Sequence, residues 1–589
     1  MEKNRHSDTG YPLPHQISQG EQAKMAESPE QISKTSQATA EDNDFTRRRY
    51  SDEALRFLPK LFALVDRNPY SATYGSFDRA YWHYRTMDFP CGMAQEFCLP
   101  LALVYHHPFP DNPWHGLDRV RQLALAGVDF AARSAHRDGS CDDYFPFEQA
   151  LGAAVFSLYA TSETCLILGD ADPARVEFLA RRATWLLHNQ ETGQLTNHQA
   201  FAALALYNVY LITRDSRFEQ GAREHVELCR RWQHPEGWFQ EYEGADPGYH
   251  SCTIDFLAKL WKKSGDDTIP KMLEPAVEFA WYFMHPDGSY AGEYGSRNTY
   301  HFYPHGFELL APRFEKAGQI ADHFLRTLPC GKRYFNDDDR MCAHYLYNWL
   351  QAYLDYHPHR PQPITARKPF RKYFPGAQLL IVHTPHYYAV ANLSKGGVLK
   401  ILDAQKALVS DTGLIARTED ERVIVSHRVD DQNTIEVDEA LQTARVAGAM
   451  CLRKKMLPTP FRQILFRVLN LTLGRHAPNL LRAMLQKKLI VGKPRTAYRF
   501  ERRIELREDA VTITDRLLRP NAESRLRSVH AGSDATSIYV ANSNVYQQSV
   551  LLPWHDLGPE FVRGVNEKGE ASGVRVLDFS ARTTTSSGE

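Results

Sequence analysis

The chain has no Cys-x-x-Cys pair, and its nine cysteines are scattered and odd in number. Cys91 and Cys98 stand seven apart with no histidine pattern to match them. A zinc ribbon and a disulfide framework are therefore not indicated, and buried free thiols are the expectation. A P-loop, a dinucleotide fingerprint and a serine nucleophile elbow are missing too, which removes the commonest nucleotide and acyl-transfer chemistries. Asp and His do not cluster at metal-ligand spacing, so no metal and no cofactor is expected. With a formal net charge of -1 over 589 residues, nothing global favours nucleic acid or a membrane. The N-terminus shows no basic region followed by an apolar core, and no apolar run was expected to reach the roughly 18 residues of a membrane span. The default expectation is cytoplasmic. Large apolar residues are scarce in residues 1–45, which are expected to be a disordered tail.

Apolar periodicity of helical type fills the stretch from Tyr50 to Tyr356, with almost no alternation. Segments include Gln95–Tyr105, Gly116–Ala135, Phe147–Leu168, Pro173–Asn189, His198–Thr213, Gln220–Gln233, Thr253–Lys263, Pro270–Met284, Gly306–Leu328 and Arg340–Tyr356. Loops of one chemistry interrupt them at Gly139, Gly193, Gly237 and Gly288, roughly 45 to 55 residues apart, the period of a repeated helix pair. Such pairs bury both faces when stacked in a ring; an irregular bundle or an open solenoid would use the same pattern. A proline-rich linker is expected over 358–377. From Gln378 the period changes to two: Leu379–Thr384, Tyr387–Leu393, Gly397–Leu402, Val423–His427, Thr434–Val437, Thr496–Leu506, Ala510–Asp515, Leu526–His530 and Ser537–Val540 read as strands. The expected architecture is multidomain, α then β: an incomplete (α/α) toroid over 46–357 and an antiparallel β-sandwich over 378–589. An apolar, basic helical island at Leu457–Leu489 interrupts the sandwich. It suits a membrane surface, but covering a sheet or packing on the neighbouring domain is the commoner use.

Three stretches look like walls of one cleft. The first is Glu236–His250, with Trp238, Tyr242, Tyr249 and His250 before a helix. The second is Thr196-Asn197-His198, also entering a helix. The third is Tyr290–His305, the densest polar-aromatic patch, with Glu293, Arg297, Asn298, Tyr300, His301 and His305. Trp82 and Tyr144 are further aromatics suited to a sugar ring. Each has a structural alternative: Asn197 as a helix N-cap, Arg297 paired with a glutamate across a loop, Tyr249 as a wall residue. Asp142, Asp143 and Glu148 form an acidic group with no spacing that selects a hydrolytic pair.

Helical repeats of this size before a large antiparallel sheet resemble the heparinase II/III-like polysaccharide lyases. Asn197-His198 at a helix start looks like that family's pair for the uronate carboxylate. Pro247-Gly248-Tyr249-His250 is similar to the segment that carries its catalytic tyrosine. The resemblance implies a lyase acting on an acidic polysaccharide or oligosaccharide by β-elimination, with Tyr249, His198, Asn197 and His250 catalytic and Arg297 on the substrate carboxylate. The family's early-sheet Gly-His-x-His-like motif is absent: Asn392–Lys400 holds no histidine, and His383 and His386 lack its spacing. Two other readings remain open at this level. One is a glycoside hydrolase with a pair such as Asp143 and Glu293; the other is a non-catalytic glycan-binding protein.

Overall fold

The computed structural model describes residues 29–191, 193–328, 342–453, 459–485, 492, 494–534 and 547–581, with side chains from residue 46 onward except at 548. Thr192, the strand expected at Ser537–Val540, and the ends of the Leu457–Leu489 island lie outside the described residues. The chain divides into two units at Phe45/Thr46. In the first, residues 29–45 are helical rather than disordered, as part of α1 (Pro29–Leu64). Proline at the first helical position is compatible with that state.

The second unit begins with a helical region. Its elements are α2 (Arg79–Trp82), α3 (Cys98–His106), α4 (Asp118–Ser134), α5 (Leu151–Leu168), α6 (Pro173–His188), α7 (Thr196–Thr213), α8 (Ser216–Arg231), α9 (Pro247–Ser264), α10 (Thr268–Trp281), α11 (His305–Leu310), α12 (Glu315–Thr327) and α13 (Cys342–Leu354). The odd-numbered helices from α3 to α13 pack each on the next, and α13 returns to α3, so they form a circuit. A helix apolar on every side must be surrounded by protein, and α3, α5, α7 and α9 are buried over nearly their whole length. α5 is long and apolar enough to cross a membrane by length and composition, contrary to the sequence expectation, but it is 78% buried as a wall of this circuit. The even-numbered helices α4 to α12 bury one face against it and show the other to solvent. Aromatics plug the middle: Phe201 stacks on Phe256 with centroids 3.7 Å apart, and Phe156 and His344 close around them.

The repeat seen in the sequence is a turn. At His136–Ser140, His234–Trp238 and His285–Ser289 the histidine N–H donates to the fifth residue's carbonyl, and the glycine N–H donates back to the histidine carbonyl. Gly139 and Gly237 need positive φ (93° and 98°), and an added Cβ would sit 2.7 Å from the Arg182 backbone or 2.0 Å from Pro275 O. Only glycine satisfies both demands. Each turn is thus pressed onto the next outer helix.

Two small strands, β1 (Gln240–Glu241) and β2 (Gly244–Ala245), make a ribbon in the helical region. The larger sheets follow. β3 (Phe370–Phe374), β4 (Leu379–His383), β5 (Tyr388–Asn392), β6 (Val398–Leu402) and β7 (Ala407–Asp411) form an antiparallel meander. β3 occupies part of the expected linker, because the five residues between Pro369 and Pro375 are free to donate to a ladder. β8 (Leu414–Thr418), β9 (Val423–Val425), β10 (Thr434–Val437), β11 (Thr443–Leu452), β12 (Arg495–Leu506), β13 (Ala510–Leu518), β14 (Leu526–Ala531), β15 (His555–Asp556) and β16 (Glu570–Asp578) form a nine-stranded antiparallel sheet. Between β11 and β12 stand α14 (Pro460–Leu469) and α15 (Pro478–Leu485); α16 (Gly558–Lys568) packs on β14 and β16.

The meander is a middle layer. Leu379, Ile381, Tyr388 and Val390 belong to the helical core, while Leu380, Val382, Ala389 and Ala391 belong to the core shared with the larger sheet. That is why β4, β5 and β6 read as continuous apolar runs. β12 and β13 have one wet face and alternate accordingly.

Candidate active site

Three chain-distant stretches converge at the start of α7 and α9. Glu241 bridges Leu195, Tyr242 N–H donates to Gln194 O at 2.9 Å, and Thr196 Oγ1 donates to Gln240 O at 2.8 Å, so the ribbon docks on the mouth of α7. Asp246 ties the rest together. As N-cap of α9 its Oδ1 accepts from Tyr249 N–H at 3.0 Å, and also from Thr299 Oγ1. Its Oδ2 accepts from Arg297 N–H at 2.9 Å. Asp246 was not anticipated; the only sequence signal was Asp before Pro at a helix start.

Around this frame Asn197, Glu241, Arg297, Tyr249 and His301 form one buried chain of contacts. Asn197 Nδ2 donates to both Glu241 oxygens at 2.8 Å, and Arg297 Nη1 donates to Glu241 Oε2 at 3.1 Å. The Arg297 guanidinium carbon lies 3.8 Å from the Tyr249 ring centroid and 5.1 Å from that of Tyr242. His301 meets the Tyr249 ring edge-on at 5.2 Å and bonds Tyr345 through Nδ1. Burial pushes the Glu241 carboxyl up, against Arg297 and Asn197, which pull it down. Burial also works against the charge on Arg297, but Tyr249, Glu241 and Tyr242 outweigh it and hold the guanidinium protonated. Burial, helped by Arg297, lowers His301 to about 3, so it is neutral at ordinary pH. Asn197 Oδ1, Arg297 Nε and His301 Nε2 are buried without a hydrogen-bond partner among the described residues. Such groups call for a partner.

Asn197 is not the N-cap of α7, a place held by Leu195. His198 stands at the rim, its Nδ1 3.0 Å from Glu191 Oε2. Tyr242 is half-buried beside it, and burial raises its hydroxyl to about 12.

The other expected residues go elsewhere. His250 points to the outer helix, its Nε2 2.8 Å from Ala276 O, and burial holds it neutral with a pKa of about 4. One residue along a helix turns a side chain by about 100°, so Tyr249 and His250 cannot share a face. Arg297 does not stand ready for a substrate carboxylate, because Glu241 occupies it. Glu293 is sealed under the meander by Lys400 Nζ at 3.2 Å, Ser410 and Tyr300 Oη at 3.0 Å. Glu293 and Tyr300 therefore fasten the helical region to the sheet. Trp238 stacks on His234 at 4.7 Å and donates to Glu236, which in turn accepts from Gly376 and Ala377 N–H. Trp82 donates to Leu64 O at 2.8 Å. Tyr144 is half exposed on the loop before α5, and Asn298 supplies a left-handed turn with φ 57°. Among the described residues no three His, Cys, Asp or Glu are placed to hold a metal ion.

The loop before α5 carries its own acidic cluster. Cys91 Sγ lies 3.1 Å from Asp143 Oδ1, and Glu148 Oε2 accepts from Asp143 and Tyr144 N–H. Burial, reinforced by Asp143, pushes Glu148 up from 4.5 to about 7. The folded chain thus keeps a proton that the unfolded chain releases, and stability falls as pH rises through that window. Glu148→Gln should flatten that part of the melting-temperature profile, removing a pH-dependent term on the order of 2–3 kcal/mol.

No family profile matches the chain, and no curated protein matches it. Solved structures do. A Streptomyces coelicolor A3 chondroitin AC lyase in complex with chondroitin sulphate aligns with TM-score 0.51 at 11% identity, over 83% of this chain and 71% of that one. The two share a fold. A Paenibacillus xanthan lyase aligns at TM-score 0.47 and 10% identity, over 84% of this chain and 49% of that one. An unsaturated glucuronyl hydrolase specific for heparin aligns at 0.39 and 10%, over 53% and 97%. The fold, shared with the chondroitin AC lyase, is a helical toroid followed by antiparallel sheets.

Proposed function

We propose that this protein is a polysaccharide lyase that cleaves a uronic-acid-containing glycan by β-elimination, with a site plan like that of the heparinase II/III-like enzymes. One observation carries the reading: the Arg297 guanidinium lies 3.8 Å from the centre of the Tyr249 ring, inside a buried polar cluster. A cation so placed favours phenolate over phenol, which is what a tyrosine needs to act as base. The phenolate takes the proton alpha to the uronate carboxylate. The electron pair of that C–H bond becomes a C=C bond, and the glycosidic C–O bond breaks. The Tyr249 hydroxyl then returns its proton to the leaving oxygen, so no water is consumed. Charge builds on the carboxylate during the step, and His198 at the rim is the group set to meet it, because the Asn197 Nδ2 donor is taken up by Glu241. Glu241 and Arg297 are positioning residues: they fix Asn197 on one side and Tyr249 on the other.

The hydrolase reading with Asp143 and Glu293 has less support, because these carboxylates sit in separate clusters, one with Cys91 and one under the sheet. Incubation with a panel of acidic glycans tests the proposal. Ultraviolet absorbance of an unsaturated uronate should rise in step with new reducing ends. New ends without that absorbance would mean hydrolysis. Glycan bound at unchanged polymer length, with no cleavage of any member, would mean a binding protein.

A further inference from the structure

The insertion between β11 and β12 has two unlike faces. Its inner face grips the helical region. Phe466 meets Phe145 edge-on at 5.5 Å, Arg467 pairs with Asp88 at 3.0 Å, and the buried Arg482 donates to the carbonyls of Glu148 and Gln149. Opposite these contacts runs an apolar stripe at helical spacing: Phe461, Ile464, Leu465, Val468 and Leu471 are 74%, 64%, 58%, 52% and 50% exposed. Leu480 and Met484 extend it on α15, where Leu481 and Arg482 face inward. The inner contacts hold the stripe outward, so it cannot fold back onto the protein.

We propose that this α14–α15 face docks on an anionic membrane surface. Charge selects that occupant. Residues 440–500 contain no Asp or Glu, although the whole chain is close to neutral. Arg462 and Arg475 are exposed next to the stripe. Apolar side chains between cations, on helices lying flat, match the interface of an anionic bilayer. A second copy of the chain would bring the same basic surface against itself, which repels. The loop gripped by Arg482 leads into α5, whose Gly152 lies against the His198 ring. Docking therefore presents to the bilayer the same end of the helical circuit as the candidate active site. The inference stands whether or not the lyase reading does.

The test uses the full-length protein with vesicles of phosphatidylcholine alone or mixed with phosphatidylglycerol. Sedimentation with the anionic vesicles, weakened by salt, and none with the neutral ones is expected. The double variant Ile464→Asp, Leu465→Asp should lower the bound fraction about tenfold or more with an unchanged circular dichroism spectrum, as apolar insertion requires. If that variant fails to fold, Arg462→Glu with Arg475→Glu should give the same loss. Wild-type protein that stays in solution with anionic vesicles overturns the proposal. So do folded variants that sediment like wild type, and so does a dimer in light scattering that these substitutions dissolve without any vesicle binding.

Discussion

Tyr249→Phe lowers turnover by about 10²–10⁴-fold, the range for loss of a positioned acid–base group, while the fold is kept. The ring stays to pack against Arg297 and His301, and only the hydroxyl goes. On the proposed chemistry the hydroxyl acts in the transition state, so kcat should fall with KM little changed. Arg297→Lys separates this role from packing. It keeps a charge but loses the planar stack and the fixed fork toward Glu241. Measured kcat and KM on whichever glycan is cleaved, beside melting curves, check both. A Tyr249→Phe enzyme with wild-type kcat removes the phenol from the chemistry.

Arg502→Met is expected to be the most destabilising single change in the sheet region, by about 3–5 kcal/mol. Arg502 is fully buried between the two layers of strands. It binds Asp515 through two nitrogens at 2.7 and 3.0 Å and Asp411 at 2.9 Å. Arg575 reaches both carboxylates at 2.7 Å but is partly exposed. Removing Arg502 leaves two carboxylates in a dry interior with one cation between them. Burial would raise Asp411, but Arg502 and then Arg575 hold it well below the carboxylate range, so the network opposes its protonation. Urea unfolding of the variant gives the magnitude. A double change of Arg502 to Met with Asp515 to Leu should recover part of the loss, because the uncompensated charge goes with it.

Local patterns carried much of this structure. The helix-to-strand change of period is where the chain switches architecture, and the strand at Thr434–Val437 ends where alternation ends. Of the repeated glycines, Gly139 and Gly237 mark turns where a positive φ and a close backbone approach leave no other residue possible, Gly288 shares the turn against a side chain, and Gly193 has no positive φ. Strands such as Ala407–Asp411 and Leu414–Thr418 escaped, since five-residue runs without clean alternation carry no period. At the candidate site, proximity of Asn197, Tyr249 and Arg297 was legible as two helix mouths and a polar-aromatic stretch roughly one repeat apart. Their bonds were not. Glu241 and Asp246, which hold the cluster together, look like ordinary loop acids until the ribbon and the α9 cap place them.

Alone, then, the amino-acid order determined the fold class, the repeat and the stretches that face one another, because these follow from periodicity and backbone sterics. Tertiary structure decided which side chains meet: that His250 turns to an outer helix, that Glu293 and Tyr300 rivet the sheet, and that Arg297 covers a phenol. Those outcomes depend on packing between residues from 26 to 117 positions apart, where a rotation of one position along a helix carries a side chain from the cluster into the core.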